Sequence, residues 1–199
     1  RSLAQTTWQW QNPLPQGNDL NDIHVFSSDS AIAVGWTGTI LKTTDGGSSW
    51  DIIQSGTKAI LRSLCFIDNN SGWIVGDSGI VLKTTDNGDN WTRYSVGSFI
   101  YSLWSVHFID NNYGWAVGGA GKIFKTTNGG TNWAISSFSS NNMRDVFFSD
   151  SSNGWICGSF GSILKTTNGG ESWTAYTGSA IHNFYSLFFI DSLKGWACG

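Results

Sequence analysis

The feature that most constrains this chain is an eight-residue pattern, T-T-[DN]-x-G-x-x-W, that occurs four times. It spans Thr43 to Trp50, Thr84 to Trp91, Thr126 to Trp133 and Thr166 to Trp173. The closing tryptophans lie 41, 42 and 40 residues apart. A self-similar period of this length specifies a repeat architecture, in which each unit buries its apolar faces against its neighbours.

Each period reads as four short strands. An apolar run such as Leu61 to Phe66 leads into the turn residues Asp68-Asn69-Asn70-Ser71. A G-W pair then opens a second strand: Trp73-Ile74-Val75-Gly76, Trp115-Ala116-Val117-Gly118, Trp155-Ile156-Cys157-Gly158 and Trp196-Ala197-Cys198-Gly199. A glycine-bounded turn precedes a third strand, Ile80 to Thr85 in the second unit. The eight-residue pattern joins it to a fourth strand that starts at the tryptophan. Four antiparallel strands in about 40 residues match the blade of a β-propeller. Helical periodicity is absent, so helical solenoids are excluded.

Four full units are counted, roughly Asp22 to Ser55, Ile60 to Val96, Ser102 to Ser137 and Met143 to Thr177. A fifth begins near Phe184 and reaches its second strand at Gly199. Trp8-Gln9-Trp10 reads as a lone fourth strand, because Trp10 precedes Phe26 by 16 residues, as Trp50 precedes Phe66. The expectation is an all-β propeller domain over residues 8–199, incomplete at its C-terminal side. The partners expected first are therefore the remaining blades of the same chain. The first unit departs from the pattern: Ala31-Ile32 stands in place of Gly-Trp.

Bulk properties remove several function classes. The 199 residues carry a net charge of -3 and hold no basic run, which disfavours nucleic acid or an anionic membrane as partner. No apolar run approaches 18 residues, so no transmembrane helix is expected. Three cysteines, Cys65, Cys157 and Cys198, are too few and too scattered for a disulfide framework or a zinc site. The histidines show no metal-ligand spacing, and no cofactor is expected. A small residue at Ala4 suits signal-peptide cleavage. Residues 1–7 are accordingly read as a leader remnant, and the chain as extracytoplasmic: secreted, periplasmic or at the cell surface.

The repeated turn resembles the Asp box of bacterial neuraminidase repeats. The whole unit, G-W-x-V-G-x-x-G-x-[IV]-[LF]-K-T-T-[DN]-x-G-x-x-W, is similar to the photosystem II assembly and stability factor family, which has relatives among secreted bacterial proteins. The resemblance implies a ring of about seven blades and is compatible with enzymes, binding modules and assembly factors alike.

Asp45, Asp86, Asn128 and Asn168 of the box, with Trp50, Trp91, Trp133 and Trp173, are read as hairpin construction. Two of the four boxes carry Asn, too few oxygen ligands for calcium. The recurring Lys42, Lys83, Lys125 and Lys165 are read as solvated or snorkelling surface groups.

Repeated positions build blades; positions that differ near the axis can build a site. Counting four residues back from the phenylalanine that ends each inner strand gives Asp22, Arg62, Trp104, Arg144 and Tyr185. The turn between second and third strands adds Trp36, Asp77 and Phe160. This mixture of charge and aromatic surface points to a binding face for a protein, or for a glycan. The photosystem family's arginine patch finds counterparts only in Arg62 and Arg144.

A neuraminidase-type hydrolase would need three clustered arginines and a Tyr–Glu nucleophile pair. Here Arg93 falls on an outer strand, away from Arg62 and Arg144, and the one glutamate, Glu171, lies inside a box. A non-catalytic exported binding or scaffold module is therefore expected, with an assembly factor and a sialidase-type hydrolase as the alternatives.

Overall fold

The computed structural model describes residues 17–96, 101–176, 182–191 and 194–199. The residues before Gly17, including the leader and the strand expected at Trp8 to Trp10, lie outside this set.

Four sheets of four antiparallel strands follow one another along the chain. The first blade comprises β1 (Leu20–Val25), β2 (Ala31–Gly35), β3 (Ile40–Thr43) and β4 (Asp51–Ile53). The second comprises β5 (Leu61–Phe66), β6 (Gly72–Gly76), β7 (Ile80–Thr84) and β8 (Thr92–Ser95). The third comprises β9 (Leu103–Phe108), β10 (Gly114–Gly118), β11 (Lys122–Thr126) and β12 (Ala134–Ser137). The fourth comprises β13 (Met143–Phe148), β14 (Gly154–Gly158), β15 (Ile163–Thr166) and β16 (Thr174–Ala175). A two-stranded sheet, β17 (Ser186–Phe189) with β18 (Gly195–Cys198), closes the series. The first strands of successive blades, β1, β5, β9, β13 and β17, pack side by side. They are the innermost strands of a β-propeller.

The second strand of every full blade is buried along its whole length. The core is correspondingly divided into inter-blade layers. Ile32, Val34, Leu61, Leu64, Ile74 and Leu82 fill the layer between the first and second blades. Trp73, Val75, Val81, Val106, Phe108 and Phe124 fill the next.

The box turn is built by its first threonine and its Asp or Asn. The Thr43 hydroxyl donates to Asp45 Oδ1 (2.8 Å) and accepts from the Gly47 N–H, while the Ser49 N–H donates to the same Oδ1 (2.9 Å). Asn128 Oδ1 receives the Thr126 hydroxyl at 3.0 Å and the Asn132 N–H at 2.9 Å. Asp and Asn place one side-chain oxygen in the same pair of hydrogen bonds, which lets Asn stand in for Asp, while the second Asp45 oxygen additionally accepts from the Ser49 hydroxyl. Gly46 and Gly47 at φ 70° and 86° take the left-handed backbone the turn requires. The tryptophans that end the boxes sit edge-on to the inner-strand phenylalanine of their own blade: Trp91 on Phe66, Trp133 on Phe108 and Trp173 on Phe148.

Of the repeated lysines, read from sequence as solvated or snorkelling surface groups, Lys42 is buried and Lys83, Lys125 and Lys165 are partly exposed. Each reaches toward the next blade or folds over an indole. Lys42, 7% exposed, donates to Asp89 (2.6 Å) and to the Asn87 carbonyl of the following box. Lys125 pairs with Glu171 at 2.6 Å, and Lys83 and Lys165 lie over Trp73 and Trp155. Packing of each box beside the preceding blade brings its carbonyls and carboxylates within reach of these side chains.

Candidate functional site

The inner strands share a one-residue irregularity at their start. Leu61 pairs with Gly76 and Ser63 with Val75, leaving Arg62 unpaired. The same bulge leaves Trp104 unpaired in β9 and Arg144 in β13. A β-bulge re-aims a side chain out of the regular alternation, here toward the mouth of the propeller. Tyr185 occupies the equivalent place immediately before β17, whose Ser186 pairs with Cys198.

In the first blade the bulged residue is Asn21, not Asp22. Asp22 pairs with Val34, the partner type that Ser63 has in Val75 and Asp145 has in Cys157. Counting back from a phenylalanine misplaced this unit by one residue. Phe26 lies past the end of β1, where its N–H bonds to the Ser30 carbonyl, as that of Ile67 bonds to Ser71. The signal for the correct register was the turn: the Ser27 hydroxyl accepts the Asp29 and Ser30 N–H groups, as the Asp68 carboxylate accepts those of Asn70 and Ser71.

Asp22 therefore joins another set, with Ser63, Ser105, Asp145 and Ser186. These side chains tie each inner strand to the next. The Leu64 N–H donates to Asp22 Oδ2 (2.8 Å) and the Leu187 N–H to Asp145 Oδ2 (2.7 Å), while the Ser105 hydroxyl donates to Asp145 Oδ1 (2.6 Å). Burial raises the Asp22 pKa against the opposing pull of the Leu64, Ile23 and Ser63 hydrogen bonds, and Asp145 adds a like charge. Both carboxylates are engaged in inter-blade structure, which explains why two acids occur on non-adjacent inner strands.

The structure brings three of the sequence-predicted residues into one stack. The Arg144 guanidinium lies 4.0 Å from the Trp104 ring centroid and 5.4 Å from that of Tyr185. A cation held between two aromatic faces gains roughly 0.5–2 kcal/mol per contact. The Arg144 Nε is buried and has no hydrogen-bond partner among the described residues. Trp104 is half-buried and Tyr185 is 55% exposed. The stack spans three consecutive blades, and the guanidinium has no carboxylate in ion-pair contact among the described residues.

Arg62 differs. Its Nε and Nη2 donate to the two Asp77 oxygens at 2.5 and 3.0 Å. Burial would raise the Asp77 pKa, but the Arg62 and Ser102 hydrogen bonds and the Arg62 charge prevail and hold it low. This pair is self-neutralised. Trp36 and Phe160, 46% and 71% exposed, stand on the β2–β3 and β14–β15 turns. These turns share the mouth face, since the Trp36 and Asp77 N–H groups bond to the Asp19 and Ile60 carbonyls just before the inner strands. Trp36 takes the first position of its turn, with Asp77, whereas Phe160 takes the second, with Ser78, at a left-handed φ of 55°.

Burial pushes Cys65 up to about 11 and Cys157 up to about 12. His107 Nε2 lies 3.0 Å from the Phe148 carbonyl and so carries the proton, and burial lowers its pKa.

Known proteins bear on the fold and on the family. A search of curated protein sequences found no match. Among solved structures, YCF48 bound to a D1 peptide superposes with a TM-score of 0.56 at 17% identity, over 92% of this chain and 91% of that one. YCF48 from Cyanidioschyzon merolae gives 0.55 at 18%, over 94% and 95%. An ancestral GH74 enzyme gives 0.67 at 22%, over 88% of this chain, which spans only 26% of the enzyme. The family model for the photosynthesis system II assembly factor YCF48 matches residues 1–101 and 98–174, and the chain belongs to that family.

Proposed function

We propose that this chain is a non-catalytic binding module that holds a protein segment on the mouth face of its propeller. The observation that carries the reading is the Trp104–Arg144–Tyr185 stack, in which an aromatic-clamped guanidinium has no ion pair among the described residues. Aromatic and arginine side chains at one exposed centre are the usual anchors of a protein contact. A YCF48 structure that holds a D1 peptide supports a peptide-bearing partner. The engagement of Asp22 and Asp145 by backbone N–H groups argues against a free acid–base pair on this face. Export, as Ala4 suggests, belongs to the same reading and is checked by fractionating cells that express the whole gene.

The test is a displayed random-peptide library selected on the full chain. Peptides should be enriched, and the combined Trp104→Ala, Arg144→Ala, Tyr185→Ala variant should bind them at least ten-fold more weakly. Selected peptides that bind the triple variant undiminished would place recognition elsewhere. The likeness to a GH74 enzyme favours one competing reading, glycoside hydrolysis. Here no release of sugar from aryl glycosides or sialosides is expected, and turnover that disappears in Arg62→Ala or Arg144→Ala would overturn the non-catalytic assignment.

A further inference from the structure

A second site lies away from the mouth stack, in the cleft between the first and second blades. A cavity of about 580 Å³ opens there between the end of β4, the following crossover and the outer strand β8. This volume falls within the range of small-molecule sites. Its lining includes Thr37, Thr39, Gln54, Lys58 and Arg93, and no carboxylate.

A departure from the repeat borders the cleft. Arg93 pairs with Leu82 in β8, as Ile135 pairs with Phe124 in β12. Ile135 packs against the apolar layer between the second and third blades. Arg93 faces the corresponding layer between the first and second blades with a cation instead, and the space beside it is left open. Lys58 enters from the crossover that leads into the second blade. Neither cation has an ion-pair partner among the described residues.

The polar lining is set to donate. Asn18 Nδ2 donates to both Thr37 Oγ1 (2.5 Å) and Thr39 Oγ1 (3.0 Å). With their oxygens accepting, the two hydroxyls keep their protons for another acceptor. Ser55 is already committed to Thr57. Two cations and two hydroxyl donors therefore border one cleft that supplies no anion. The lining holds no aromatic side chain, which removes the stacking platform that a neutral sugar ordinarily uses.

We propose that this cleft binds a hydroxylated carboxylate of monosaccharide size, a sugar acid. Its carboxylate sits between Arg93 and Lys58, and its hydroxyls accept from Thr37 and Thr39. None of its lining residues belongs to the Trp104–Arg144–Tyr185 stack.

Calorimetric titration of the full chain with glucuronate, glucose and inorganic sulfate tests the assignment. Glucuronate should bind, glucose should give no heat, and sulfate should bind at least ten-fold more weakly. The paired Arg93→Gln, Lys58→Gln variant should lose at least ten-fold in glucuronate affinity. Its melting temperature should stay unchanged, since neither residue has an ion-pair partner among the described residues. Thr39→Val should weaken glucuronate and leave sulfate unaltered. No glucuronate binding, equal binding of glucose, sulfate binding as tight as glucuronate, or undiminished binding by the doubly substituted protein would each overturn it.

Discussion

Four of the repeats place a glycine opposite an inner-strand phenylalanine so closely that a methyl group does not fit. A Cβ at Gly72, Gly114, Gly154 or Gly195 would come within 2.6 Å of the ring of Phe66, Phe108, Phe148 or Phe189. The Phe108 ring cannot yield, because it is stacked on Trp73 at 3.7 Å and held edge-on by Trp133. The first blade shows the compensation. There Ala31 replaces the glycine, and its partner across the strands is Val25, not phenylalanine. Gly114→Ala should therefore cost about 1–3 kcal/mol of stability by overpacking. In a Phe108→Val background the same substitution should cost almost nothing, a coupling that denaturant melts of the four proteins would measure. The box carboxylates act at the same scale. The Ser49 hydroxyl and N–H, with Thr43, hold Asp45 at about 2, below the usual value near 4. Such a group stabilises the fold above pH ~4, and that contribution is lost as pH falls through ~2. Melting temperature should fall over this window, and Asp45→Asn should flatten the fall in a series of melts from pH 5 to pH 2.

At the scale of elements, the bulge decides what the inner strand offers. It takes one residue per blade out of the ladder and aims it at the mouth, while its neighbour ties the blades together. Reading this from sequence requires the register, and the register depends on pairing between strands. Arg62, Trp104, Arg144 and Tyr185 were legible because a phenylalanine marks the same place in four units. Asp22 was not, because Val25 takes that place in the first blade and Phe26 follows it. The partnership of Arg144 with Trp104 and Tyr185, and the neutralisation of Arg62 by Asp77, were equally hidden, since three of these contacts join residues of different strands or blades. The partners of the lysines were hidden for a related reason. Their position on the third strand was correct, but the carboxylates and indoles they meet are brought by tertiary packing.

At the scale of the whole molecule, the inter-blade layers hold the series together and the two ends of the described arc show what such a layer covers. Ile23 and Val25 on β1 are 56% and 62% exposed, and Phe188 and Trp196 at the other end are 65% and 61% exposed. Leu64 and Val106, the counterparts of Ile23, and Trp73 and Trp115, the counterparts of Trp196, are buried in the layers between blades. Apolar patches of this kind drive association. The 199-residue chain should self-associate with rising concentration in sedimentation velocity, and Phe188→Ser with Trp196→Ser should reduce it; a concentration-independent monomer would contradict this. The repeat period, the strand pattern and the box turn follow from sequence alone, because each rests on local propensity and on spacing that recurs within one chain. Which side chains meet at the mouth, which acids bind the blades together and where a cleft opens beside Arg93 were decided only by tertiary structure. Those contacts join residues of neighbouring blades, and their partners are fixed by how one blade stacks on the next.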